Sequence, residues 1–580
     1  MSKLVVDQKT VYELFGNKNA YFLIPDYQRP YAWDEVECQT LWNDIFNFAI
    51  PDNDYSKFNN DDEYFLGPIV TFDNNKQKEV IDGQQRLTTL LLLLRAFYCY
   101  FGSMADENSV ATKQMIEACI WKTNEFNKPD MNVLKIDSEV ASDEHKEEFL
   151  SILKTGIVEN KMKSNYAVNY RFFMTKIDEF LHTFPAFFAY LPIRIMKNCI
   201  LLPIEAESQD TALRIFSTLN DRGKPLSDAD IFKAQLYKYY SIKGEKDAFI
   251  KRWKALEAKC NDIYHPISGT PMDEAFTRYM YYERAKMGIK SSTTEALRKF
   301  YEKDSYALLK KDATFDNIVD LTDFWDSVAK QDEERFSDEV LKKLFILNYA
   351  PNGMWTYFVS VYYLSNKDSE GKLEEPGFLD FLKKTIAFVW AYAVTNPGVN
   401  SLRTPIYAEM INVVNRDAVD FGEFLFDEET TKNKFETYGF TNSRAITKAM
   451  LTWWAFINEE QQLIPLSTVI EIEHIYAKNR YENEHSLSSS AILEKLGNKA
   501  LLEKRINIRA SDYRFNDKKK YYRGFESARG KKDGTKNLEL LLLADKQDDF
   551  TETDILTRTG SIIETFLNYL KELKLVSDSN

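Results

Sequence analysis

Five consecutive leucines at positions 90–94 form the most apolar run of the chain, and their surroundings limit what it can fold into. Arg95 ends the run, far short of the roughly 20 apolar residues that a membrane-spanning helix needs. The run therefore reads as part of a helix over residues 87–101, buried in a protein core. Ahead of it stand a strand-like stretch at 79–81 and the loop Asp82-Gly83-Gln84-Gln85-Arg86. A strand, a glycine-containing loop and a helix N-terminus in that order make a common anion-binding arrangement. Other strand-like runs lie at 21–25 and 65–72, the second joined to 79–81 by the polar turn 73–76. Strand character returns at 199–204, followed by a helix at 210–219 and the polar loop Asn220-Asp221-Arg222-Gly223-Lys224-Pro225. Ser227 then caps another helix, with Asp230 three residues on as an acidic capping box.

Elsewhere the pattern is helical. Residues 105–195 are charged and helical, with a loop near 127–131, and apolar residues recur at helical spacing from 241 to 460. Ile470-Glu471-Ile472-Glu473-His474-Ile475 is strand-like, and residues 555–575 form a closing amphipathic helix. No internal repeat or low-complexity linker interrupts the 580 residues, which exceed one ordinary core and predict two to four domains. The reading is an α+β chain, mostly helical, divided at 1–240, 241–460 and 461–580.

Five scattered cysteines without a C-x-x-C pair argue against a disulfide framework and a cysteine–zinc site. With no signal-peptide pattern at the N-terminus and no spanning segment, the expected setting is the cytoplasm, away from membranes. The net charge of −14 excludes a uniformly basic nucleic-acid coat protein. Residues 495–536 nevertheless carry fourteen Lys and Arg against five Asp and Glu, a local basic footprint that suits phosphate contact. Lys518, Lys519, Lys520 and Arg523 are its candidate DNA-binding residues.

Glu473 and His474 end the strand-like run, Leu496-Gly497-Asn498 follows after a polar loop, and Asn507 lies nine residues further on. A lone histidine at a strand end is ordinarily structural; this one sits in register with two asparagines and the basic segment. The pattern, completed by Phe515-Asn516-Asp517-Lys518, resembles the HNH domain at the C-terminus of GmrSD-type modification-dependent restriction enzymes. The resemblance implies a ββα-metal fold in which His474 is the general base, while Glu473 and Asn507 hold a divalent metal, normally magnesium. Asn498 would brace the loop holding the base, and Lys518 would touch phosphate. Ala477 stands where the family often has a loop-stiffening proline. His485 lies in the polar loop, and His145, His182 and His265 have no partners in sequence.

Three N-terminal motifs each place an arginine beside amide or acidic groups at a turn: Asp26-Tyr27-Gln28-Arg29, Asp82-Gly83-Gln84-Gln85-Arg86, and Asn220-Asp221-Arg222-Gly223-Lys224. Arginine offers a fixed fork to phosphate oxygens and glycine lets the backbone approach them. No Walker-type loop is present, so the chain is not a P-loop NTPase. The motifs resemble the ParB/sulfiredoxin-like domain of the same enzymes, an α/β fold that binds and hydrolyses nucleoside triphosphate. By that resemblance Gln28, Arg29, Asp82, Gly83, Gln84, Gln85, Arg86, Asn220, Arg222 and Lys224 form a nucleotide centre. Tyr27, Tyr31 and Trp33 suit either base stacking or core packing.

Together these readings predict a nucleotide-regulated, metal-dependent endonuclease of bacterial anti-phage defence acting on double-stranded, modified DNA. A homodimer is the expected state by analogy, since one HNH site nicks one strand. The alternatives are a nucleotide-switched ParB-like DNA-binding scaffold with an inactive HNH domain, and an RNA-cleaving toxin.

Overall fold

The computed structural model describes residues 5–74, 77–126, 128–140, 143–207, 211–212, 227–398, 400–528, 530–546 and 548–577. The chain is α+β and mostly helical, and it divides into two compact units, Met1–Lys254 and Ala255–Asn580. The expected helix at 210–219 and the loop with Asn220, Arg222 and Lys224 fall largely or wholly outside the described residues.

The first unit is built on a seven-stranded mixed sheet. Its strands are β1 (Val5–Val6), β2 (Lys9–Thr10), β3 (Phe22–Ile24), β4 (Tyr64–Asn74), β5 (Gln77–Asp82), β6 (Ile136–Ser138) and β7 (Cys199–Ala206), in the order β1-β7-β4-β5-β3-β6, with β2 also paired to β7. β4 lies between β7, which runs parallel to it, and β5, its antiparallel hairpin partner. Consecutive apolar residues here face opposite sides, because strand side chains alternate. Ile69 and Val80 join the large core, whereas Val70 and Ile81 join a smaller one with Tyr27, Ile204 and Ala234 on the other face.

Helices Gln84–Tyr100 (α1) and Asn165–Thr183 (α2) carry much of the large core, and all five leucines at 90–94 are buried. α1 begins at Gln84, three residues earlier than the apolar pattern places it. Gly83, at φ +90°, turns the chain from β5 directly into the helix, a conformation costly for any other residue. The region 105–195 also holds an antiparallel ribbon, Trp121–Thr123 with Pro129–Leu134, and strand β6. The ribbon escaped the sequence pattern because most of its second strand is exposed and has no buried alternating face.

The second unit begins with helices from Pro271–Lys286 to Ala445–Ala455, packed through aromatic contacts such as Phe324 on Tyr363, 4.3 Å between ring centroids. Two antiparallel strands follow, β8 (Ile470–His474) and β9 (Lys499–Glu503), with His474 opposite Lys499 and Ile470 opposite Glu503. Helix α3 (Lys504–Ala510) leaves β9 directly, and α4 (Phe515–Arg523) leads into the hairpin β10 (Gly524–Ser527)–β11 (Gly530–Asp533). The C-terminal helix α5 is Glu552–Glu572.

Candidate active site

β8 carries its polar groups in alternation, so Glu471 and Glu473 share one face of the hairpin. Glu473 is only 4% exposed, a rare place for a carboxylate unless it is paired. Its Oε1 accepts from Lys518 Nζ at 2.7 Å and Tyr522 Oη at 2.6 Å. Lys518 and Tyr522 lie one turn apart on α4 and share its buried face with Phe515. Burial pushes the Glu473 pKa up, and Lys518 works against that shift.

His474 stays partly accessible, and burial lowers its pKa to about 4, with Lys499 adding to the effect. Its imidazole is therefore neutral at pH 7. Lys499, directly opposite on β9, is fully buried and donates to Phe440 O at 2.5 Å, Asn442 Oδ1 at 2.7 Å and Glu494 Oε2 at 2.6 Å.

The segment after His474 is held from the Leu496-Gly497-Asn498 turn. Asn498 Oδ1 accepts from Tyr476 N at 2.7 Å, and its Nδ2 donates to Tyr476 O and Leu493 O, both at 3.2 Å. The backbone oxygen of Asn498 also accepts from Ile475 N. Asn498 is fully buried and turned to backbone, so it positions the loop and does not face a reacting atom.

α5 clamps the turn in its place. Arg558 Nη1 donates to the oxygens of Leu496, Gly497 and Lys499 while pairing with Glu539, and Gly497 N donates to Thr559 Oγ1. A Cβ at Gly497 would sit 2.0 Å from Ile555 O, so only glycine fits. Arg558 and Thr559 were not legible from sequence, since they lie about sixty residues away inside an ordinary amphipathic helix.

Asn507, on α3, donates its amide to Glu471 Oε2 at 2.9 Å. Glu471 is the other residue missed from sequence; its signal was the carboxylate repeat at i and i+2 in Glu471-Ile472-Glu473. Among the described residues no group of three or more His, Cys, Asp or Glu is spaced to hold a metal. Glu471, Glu473 and Asn507 are hard oxygen donors of the kind a small divalent ion takes while keeping most of its water, although Oε1 of Glu473 is committed to Lys518 and Tyr522. Ala477 has φ −68°, a value proline would adopt, so its backbone already has the shape that the family's proline imposes. His485 is exposed, edge-on to Tyr481.

The expected DNA-binding residues divide sharply. Lys518 is 1% exposed and donates to Glu473 and to His474 O, which corrects its assignment to phosphate: a lysine at the helix's buried face neutralises the carboxylate beneath it. Lys519 caps the chain at Lys546 O. Lys520 is exposed beside the Tyr521 ring, and Arg523 holds Ala544 O and Asp545.

The N-terminal motifs meet at the start of α1, but their amides are turned to the chain itself. Gln28 Nε2 donates to Val80 O and Ile81 O. Gln84 donates to Arg29 O, while Gln85 donates to Pro30 O and accepts from Ala32 N and Trp33 N. Of these three glutamines, expected in the nucleotide centre, Gln28 fastens the 28–33 loop to β5, and Gln84 and Gln85 fasten it to the helix. Partly accessible polar groups remain in Arg29, Asp82 and Arg86. Burial raises the Asp82 pKa against the pull of both arginines. Arg86 lies across Gly67, where a Cβ would come within 2.9 Å of its Cζ, and it donates to Pro68 O at 2.7 Å. Tyr27 and Tyr31 are buried, and Tyr31 stacks on Tyr166.

A model of the N-terminal domain of GmrSD restriction endonucleases matches residues 11–237, and one of their C-terminal domain matches residues 425–565. The chain belongs to the GmrSD restriction endonuclease family. Family membership makes it a nuclease, with DNA as its substrate. The C-terminal match contains the whole β8–β9 hairpin, α3 and α4. A search among curated proteins found no match to the chain. No helix among the described residues is long and apolar enough to cross a membrane.

Proposed function

We propose that the GmrSD C-terminal domain of this chain is an HNH-type, metal-dependent nuclease site centred on His474. The observation that carries the reading is the place of His474, beside Glu473 at the end of a two-strand-and-helix unit whose following loop Asn498 holds. A neutral ring nitrogen can take the proton of an attacking water. Asn498 and the Lys518 bond to His474 O fix the backbone that leaves that base, from the His474 carbonyl to Tyr476. Glu473 and Asn507 would hold the divalent ion, with Glu471 orienting the asparagine amide; such an ion stabilises charge on the leaving oxygen.

The first unit is the regulatory half in this reading. Arg29 and Arg86 near the start of α1 would meet the phosphates of a nucleoside triphosphate, together with Asn220, Arg222 and Lys224, and Asp82 would meet the divalent ion that accompanies them. Modified foreign DNA is the proposed target, and a pair of chains would cut both strands.

The test is cleavage of modified and unmodified phage DNA with magnesium, with and without each nucleotide, by the wild-type chain and His474→Ala. The wild type is expected to cut in a nucleotide-dependent way and His474→Ala to be inert while folded. Undiminished nicking by a clean His474→Ala preparation would remove His474 from the chemistry. Cleavage of RNA in preference to DNA would favour the toxin alternative.

A further inference from the structure

We propose that a basic cleft at the end of the β8–β9 hairpin remote from His474 holds the phosphate backbone of duplex DNA flanking the cut. The proposal rests on the nuclease reading for its register. The cleft encloses about 780 Å³ between the start of β8, α3 and β11. Lys504, Arg505, Arg509, Lys531, Lys532 and Lys536 line it, against two carboxylates, Glu503 and Asp533.

The cleft is braced. Arg509 donates to Arg505 O and across to Asp533 O, tying α3 to β11 and setting the width. Glu503 is occupied by Thr535 Oγ1 and Lys536 N, each at 2.6 Å. Gly524 lets β10 close on β11, where a Cβ would lie 2.6 Å from Lys532 O, and Gly534 lets the hairpin close on α4, where a Cβ would lie 2.4 Å from Tyr522 O. Lys504, Arg505, Lys531 and Lys536 are exposed.

These cations are spread over α3, β11 and the segment after it, which suits a chain of phosphates better than a single anion. The fourteen-cation segment seen in the sequence thus does its phosphate work from α3 and β11, whereas Lys518 on α4 is turned inward. Ile470 and His474 are four residues apart on β8, about 13 Å at roughly 3.3 Å per residue. That length corresponds to about four base-pair steps of duplex at about 3.4 Å each. Phosphates in the cleft would then lie within half a helical turn of the cut.

The test compares the full-length wild type with Lys531→Gln/Lys532→Gln, by fluorescence anisotropy on duplex DNA across a salt series from about 50 to about 200 mM. Each lost phosphate contact removes about 0.9 from the slope of log affinity against log salt, so the double variant should be shallower by about 2. Its duplex affinity should fall about tenfold or more, while Arg505→Gln should shift both quantities the same way by a smaller step. Circular dichroism matching the wild type excludes unfolding as the cause. Unchanged slope and affinity would overturn the proposal, as would lost RNA binding with duplex binding intact. If the double variant loses duplex binding although the wild type never cuts, the cleft stands and the nuclease reading falls. If the wild type cuts and the variant binds as tightly as it does, the cleft falls and the nuclease reading stands.

Discussion

Lys518→Met separates a structural lysine from a phosphate-binding one. The lysine and Glu473 side chains are 1% and 5% exposed, at 2.7 Å. Removing one partner of a buried ion pair typically costs about 3–5 kcal/mol, because the other charge is left without compensation. The lost bond to His474 O adds about 1 kcal/mol. Tyr522 still donates to Glu473, which offsets part of the cost, so a net loss of about 3 kcal/mol is expected. Methionine keeps the length of the stem, which limits any packing defect. Urea unfolding followed by tryptophan fluorescence should show the transition that includes the second unit moving to lower denaturant. The double variant Lys518→Met/Glu473→Gln should recover most of the loss, since a neutral amide in place of the carboxylate leaves no buried charge. An unchanged unfolding curve for Lys518→Met, combined with weaker and less salt-dependent DNA binding, would refute the structural role.

Asn498→Ala removes three bonds to buried backbone and should cost about 3 kcal/mol at about 1 kcal/mol each. Hydrogen exchange should show Tyr476 N losing protection as DNA cleavage falls; unchanged protection would contradict the bracing role. Glu409 is 3% exposed, accepts from Phe421 N at 3.1 Å, and has its pKa raised by burial from 4.5 to about 7. A carboxyl with a raised folded pKa contributes stability that is complete below about pH 4.5 and is lost as pH rises through about 7. Glu409→Gln should therefore match the wild type in Tm near pH 5 and exceed it near pH 8, by an amount corresponding to about 2–3 kcal/mol. Parallel Tm–pH curves would refute this.

Local patterning made much of the fold legible. The capping pair Ser227 and Asp230 forms the box expected of it, the strand at Ile470–His474 lies where the alternating isoleucines put it, and the strands around the 73–76 turn pair as a hairpin. These features depend on residues within a few positions of one another. The exposed ribbon at Pro129–Leu134 was missed for the same reason, having no buried face to create a period.

The sequence by itself determined the family and put Glu473 and His474 at the end of a strand, because both rest on residues within a few positions of one another. What each side chain faces was settled by tertiary packing alone. Lys518 and Lys531 are alike in sequence, both in lysine runs of a basic segment. One is drawn under β8 by the buried carboxylate of Glu473, and the other is left in solvent at the tip of a hairpin. Gln28, Gln84 and Gln85 looked like ligand groups until their carbonyl partners were fixed from up to 55 residues away. A buried polar group must find a partner, and only the folded chain decides whether that partner is a substrate or its own backbone.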